Sequence, residues 1–273
     1  MADGYAIATM AIQAVSFVAS SALLVSGFVL LRNTDQSLRR CFTYMKVALC
    51  FFTLPELSRA TQEWATISYT LDSLSMCLIL VALASFGAAI KLAATGTTSK
   101  IVTRGAYTFA GAMAVIAVVC WILLIIVNEY FARWLVHSDF ELDRSTIDST
   151  YDLTYSISII WWAATLVAVV FAGVVKYKYG RSKPYSTSAN FLIACIIAWF
   201  CKTSYEFAIT IAFSLLRDAQ LFNSAYIVLH DIFGSWPILV LFGLLIYYGA
   251  KKGGALVSSQ VRMKDEGVAG NEA

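Results

Sequence analysis

Five ionisable side chains, Glu56, Asp72, Lys202, Glu206 and Asp231, stand inside stretches of the chain that are otherwise apolar. Ionised groups are expensive away from water, so such residues mark relays, pathways or binding sites. Asp231 is the plainest case. It lies in YIVLHDIFGSWPILVLFGLL, Tyr226 to Leu245, with His230 before it and Pro237 beyond it. Lys202 and Glu206 lie in WFCKTSYEF, where Trp199, Lys202 and Glu206 share one helical face and the lysine and glutamate can pair at i,i+4. An ammonium beside Glu206 would keep that carboxylate charged, leaving Asp231 or Glu56 as the group able to carry a proton.

The chemistry open to this inventory is acid–base chemistry. A carboxylic acid kept neutral in a dry pocket can protonate an epoxide or an alkene, and indole faces can stabilise the cation that forms. The segment YSISIIWWAAT puts Tyr155, Ser158, Trp162 and Thr165 on one stripe with Trp161 beside it, and Trp121, Trp199 and Trp236 add further indoles. Aromatic belts account for rings at helix ends, such as Tyr247 and Tyr248, but not for indoles near a helix centre. Pro55 precedes Glu56 and Pro237 follows Asp231, so each proline leaves a carbonyl without its amide donor, at Phe51 and Phe233. Each feature also has a plainer use, as an internal ion pair, a packing kink or a core ring.

The elements that must position these residues are transmembrane helices. Of the 273 residues 59% are hydrophobic and only 14% charged, and the mean hydropathy is +0.72. These values exclude an ordinary soluble domain. Seven apolar runs, near Tyr5–Leu31, Cys41–Thr61, Ile67–Lys91, Tyr107–Phe131, Leu153–Lys176, Ala189–Leu215 and Ser224–Ala250, are long enough to cross a ~30 Å hydrocarbon core at ~1.5 Å per residue. The second is the weakest, because Lys46, Glu56 and Arg59 interrupt it. The opening MADGYAIATMAI has no basic residue before its apolar run and reads as the first spanning helix rather than a removed signal.

Loop charge sets the orientation. Arg32, Arg39 and Arg40 follow the first run, Lys91, Lys100 and Arg104 the third, Lys176, Lys178, Arg181 and Lys183 the fifth, and Lys251 and Lys252 the seventh. The connection after the fourth run is acidic, with Asp139, Glu141, Asp143 and Asp148 against Arg133 and Arg144. The expected architecture is therefore an all-α, polytopic membrane protein, a seven-helix transmembrane bundle over residues 1–252. Its N-terminus would be outside or lumenal, and a polar, disordered cytosolic tail would occupy 253–273. In that frame Glu56, Asp72, Glu206 and Asp231 share the outer half of the bilayer and face a common cavity, with His230, Asp72, Tyr155, Trp162, Trp199 and Trp236 as candidate binding residues.

Several chemistries lack their signatures. No lysine lies within the seventh run to hold retinal, and no aspartate-rich motif is present to hold magnesium against a diphosphate. His137 and His230 lack metal-ligand spacing, and glycine-rich phosphate loops are missing. Cys41, Cys50, Cys77, Cys120, Cys195 and Cys201 have no CxxC spacing and read as packing residues. No metal or cofactor is expected, and nucleic acid is not an expected partner. A lipophilic small molecule and the bilayer are, with the oligomeric state left open. The expected location is the endoplasmic reticulum membrane.

With Glu56 on an early helix, Asp231 on the last, and no diphosphate motif, the chain resembles the small membrane-bound terpene cyclases of fungal meroterpenoid pathways. The resemblance implies a seven-helix bundle that opens an epoxy-prenyl substrate by proton donation from an intramembrane carboxyl, without a metal. Glu56 and Asp231 would then be catalytic. The Lys202–Glu206 pair has no place in that family's pattern, so the donor could be Glu56, Glu206 or Asp231. A seven-helix receptor for small ligands and a proton-coupled transporter are the alternatives, although receptor signatures and an internal repeat are both missing.

Overall fold

The computed structural model describes residues 2–31, 36–58, 65–97, 100–136, 144–181, 183–216 and 224–251. Within them, the side chains of 2–10, 36–37, 55–58, 65–66, 130–136, 144, 146, 183–184, 213–216, 224–228 and 231 lie outside the description. So do the acidic residues 139–143 and the expected tail, 253–273.

The described residues form seven α-helices: α1 (Ala2–Leu30), α2 (Gln36–Ser58), α3 (Ala65–Thr95), α4 (Lys100–Val136), α5 (Arg144–Tyr179), α6 (Lys183–Leu216) and α7 (Ser224–Ala250). Most are longer than the apolar runs, because helical hydrogen bonding continues into the polar ends of each segment. Pro237 lies inside α7 without ending it. At the other end of α3, Gly96 takes a left-handed φ of 68° and donates its amide to the Leu92 carbonyl at 2.8 Å. Glycine suits that cap because a Cβ is strained there.

Consecutive helices pack side by side, and α7 closes the bundle against α1. Helix α3 also touches α5 and α6, so it runs through the middle: 72% of its most apolar stretch is buried, against 17% for α1 and 28% for α4 and α5. The outer helices turn Val18, Val25 and Val29 of α1, and Val115 and Ile122 of α4, away from the protein. An apolar surface of this extent suits lipid rather than water.

Among the described residues, six helices are long and apolar enough to cross a membrane. The exception is α2, and its packing explains how it belongs. Leu38, Cys41, Phe42, Met45, Ala48, Leu49 and Phe52 recur at three- and four-residue spacing and are all at most 2% exposed. That stripe packs along α3 and α1, so Arg39, Arg40, Thr43 and Lys46 sit off the packed face. Lys46 is one of them, and its Nζ reaches back to the Leu31 carbonyl at 3.2 Å.

Candidate functional site

A cavity of about 330 Å³ opens between α3, α5, α6 and α7. Each helix supplies residues at helical spacing. Ser68, Tyr69, Asp72, Ser73 and Met76 come from α3; Ile157, Ser158 and Trp161 from α5; Lys202, Glu206, Ile209 and Thr210 from α6; His230 and Gly234 from α7. The α3 contribution is read from SYTLDSLSM, in which positions four apart return to the same face.

At the cavity wall Lys202 Nζ lies 2.8 Å from Asp72 Oδ2 and 2.8 Å from Glu206 Oε1. The lysine side chain is 3% exposed, whereas those of Asp72 and Glu206 are 25% and 24% exposed. The ammonium is therefore almost wholly covered, while its two partners keep surface exposed at the cavity wall. Burying an ion costs several kcal/mol by itself. Here two charge-assisted contacts, each about twice as strong as a neutral hydrogen bond, offset that cost. Full ionisation of the three groups would leave one negative charge in excess, facing the cavity.

The wall behind the cluster is rigid. Trp199 is fully buried and donates its indole N–H to Met76 Sδ at 3.1 Å. Trp161 meets Trp199 edge to face at 6.1 Å and Phe109 at 5.9 Å. Thr165 and Thr203 join α5 to α6 at 2.9 Å, one helical turn from these indoles. Such packing fixes the rotamers that aim the charged groups.

The structure brings together Asp72, Lys202, Glu206 and His230 of the sequence-selected residues. Trp199 supports the wall from behind, without lining the cavity. Trp162 stacks on Phe207 at 4.2 Å between α5 and α6, and its neighbour Trp161 takes the cavity position instead. Tyr155 stacks with Tyr151 at 6.5 Å on α5. Trp236 is 43% exposed and donates to Ser16 Oγ of α1 at 3.2 Å, away from the cavity. Glu56 lies on α2 and Asp231 on α7, but their side chains fall outside the described residues.

The pairing of Lys202 with Asp72 was not expected from the sequence, which suggested only the local Glu206. Tyr69, Ser73 and Thr210 were also missed, although the recurrence of hydroxyl residues around Asp72 was a usable signal. Among the described residues no group of three His, Cys, Asp or Glu side chains is placed to hold a metal ion. No protein-family model matches the chain, and no curated protein matches it. The reading of the site rests on its geometry.

Proposed function

We propose that this chain is a multi-pass membrane protein, N-terminus outside and C-terminus in the cytosol, that binds a small molecule carrying a protonated amine in the α3–α5–α6–α7 cavity. One observation carries the reading: two partly exposed carboxylates line the cavity, and Lys202, which bridges both among the described residues, is almost wholly buried. A cationic head would neutralise the excess charge, and Trp161 and Tyr69 supply aromatic walls that favour cations. The volume stands at the small end of the range for ligand pockets, roughly 300–1,000 Å³. The rest of the ligand would be compact and partly apolar.

The test is a thermal-shift series on protein in nanodiscs, using amines, carboxylates and neutral isosteres of matched size. Amines should stabilise the protein, and Asp72→Asn or Glu206→Gln should weaken that effect at least tenfold. Stabilisation by carboxylates instead of amines would overturn the reading.

A second reading is acid-initiated cyclisation of an epoxy-prenyl substrate, favoured by the Trp161 indole beside the acids. Lys202 engages both acids that line the cavity, Asp72 and Glu206, so in this reading the proton comes from Asp231 or Glu56. Microsomes carrying the wild type should then convert an epoxy-prenylated phenol into an isomer of unchanged mass. Asp231→Asn should abolish the product without loss of expression, and equal product from both proteins would exclude Asp231 as the donor.

A further inference from the structure

Apart from Lys202, every described lysine and arginine side chain belongs to one end of the bundle. Arg39 and Arg40 open α2, Lys91 closes α3, Lys178 and Arg181 lie at the end of α5, and Lys251 follows α7. Even Lys46, further along α2, turns back to the Leu31 carbonyl at this end. The described acids Glu129, Asp148 and Asp152 stand at the opposite end, and Asp72 and Glu206 lie in that half of the bundle.

Besides Lys46, whose Nζ lies 5.4 Å from the centre of the exposed Phe28 ring, two of the cations are held over exposed tyrosine rings. The Arg181 guanidinium lies 4.4 Å from the centre of the Tyr177 ring, and Lys251 Nζ lies 5.8 Å from that of Tyr247. These tyrosines are 66% and 56% exposed, and Tyr247 also stacks on Phe191 of α6 at 6.0 Å. A tyrosine with an apolar body and polar tip belongs at head-group depth. A guanidinium stacked on it keeps its in-plane N–H groups directed outward, where they suit phosphate oxygens.

We propose that this end of the bundle is a binding surface for anionic phospholipid head groups, with Tyr177–Arg181 and Tyr247–Lys251 as its two clamps. The inference rests on the multi-pass membrane reading and is independent of what occupies the cavity. The partner is the lipid of the adjacent leaflet, because exposed apolar residues, Val170 and Val174 on α5 and Val240 on α7, continue from these clamps into the bundle's flanks. Attraction of a basic side chain to an anionic leaflet amounts to roughly a fivefold gain in binding per residue.

The experiment uses the full chain. Resistance to alkaline carbonate extraction checks the membrane reading first, and release of the protein there would overturn that reading. Protein purified in micelles holding equal phosphatidylserine and phosphatidylcholine is then analysed by mass spectrometry for retained lipid. The wild type should retain the serine lipid in several-fold excess. The excess should shrink in about 0.5 M salt, where screening lengths fall to a few Å. Combined Lys178→Gln, Arg181→Gln and Lys251→Gln substitutions should lower it at least fivefold, whereas Asp152→Asn at the opposite end should leave it unchanged. Equal retention of both lipids by the wild type, or an unchanged ratio in the triple variant, would overturn the proposal. The salt series on the wild type decides the matter even if the triple variant folds poorly.

Discussion

Replacing Lys202 with methionine keeps the length of the side chain and removes its charge. Asp72 and Glu206 then lose the ammonium at 2.8 Å from each and face one another across the cavity wall. Breaking a buried pair by removing one partner costs about 3–5 kcal/mol. The two acids keep 25% and 24% of their side-chain surface exposed, so water can recover part of the loss and the lower end, about 3 kcal/mol, applies. At ~2–4 °C per kcal/mol the melting temperature should fall by roughly 6–12 °C. The same geometry predicts strong coupling between the acids. Either carboxylate alone still pairs with Lys202, so Asp72→Asn and Glu206→Gln should each cost about 1.5–3 kcal/mol at most. The double variant strands the ammonium and should cost more than their sum. Adding Asp72→Asn and Glu206→Gln to Lys202→Met removes every charge and should restore at least half the loss. Thermal unfolding of the protein in nanodiscs reads all five variants. A Lys202→Met shift under about 2 °C, or a triple variant no better than Lys202→Met alone, would refute the counter-ion argument.

Three further outcomes follow from packing. A Cβ on Gly249 of α7 would strike Leu31 and come within 2.7 Å of the Phe42 ring, both of them buried, so Gly249→Ala should cost ~1–3 kcal/mol. Gly173 has open space around it, and Gly173→Ala should be neutral or stabilising by up to ~1 kcal/mol, because alanine orders a helix at lower entropic cost. Thermal melts of the two variants side by side separate these cases. Trp199→Phe removes the N–H donated to Met76 Sδ and leaves a gap beside Trp161; a loss of roughly 1–3 kcal/mol in melting is expected, with weaker binding of any cavity ligand.

How much of this was legible beforehand differs between fold and site. Seven helices followed from apolar runs, since backbone groups in an apolar environment must pair within their own segment. Helix α2 was harder to read as a run because its hydrophobicity is gathered into the stripe from Leu38 to Phe52, and an average over its length dilutes it. The local pair Lys202–Glu206 was readable because i,i+4 spacing fixes it. Asp72 was not assignable as a partner, since α3 and α6 lie far apart in sequence and their register depends on packing at Met76 and Trp199. Which of Trp161 and Trp162 lines the cavity was not readable for a similar reason. One residue is about 100° around a helix at 3.6 residues per turn. Two adjacent indoles give no sequence cue to which one turns inward. The face Trp236 takes was not readable either, because an apolar α7 offers several, and Ser16 of α1 accepts its indole N–H.

The position of Lys202 also separates the two functional readings. In the binding reading Asp72 and Glu206 meet the ligand, and Lys202 tunes how negative they leave the cavity. Removing the ammonium should then tighten amine binding in the protein that remains folded. Two unit charges ~4 Å apart interact by ~4 kcal/mol at an effective dielectric of 20, so tenfold tightening is a modest expectation. In the cyclisation reading the working acid lies on α2 or α7, and the Lys202 cluster is scaffolding. Lys202→Met would then lower product only as far as it lowers the amount of folded protein, and Asp231→Asn would abolish it. Amine affinity that rises in Lys202→Met and is indifferent to Asp231→Asn assigns the cavity to binding. Product formation with the opposite pattern assigns it to catalysis, because no single charge arrangement around Lys202 yields both.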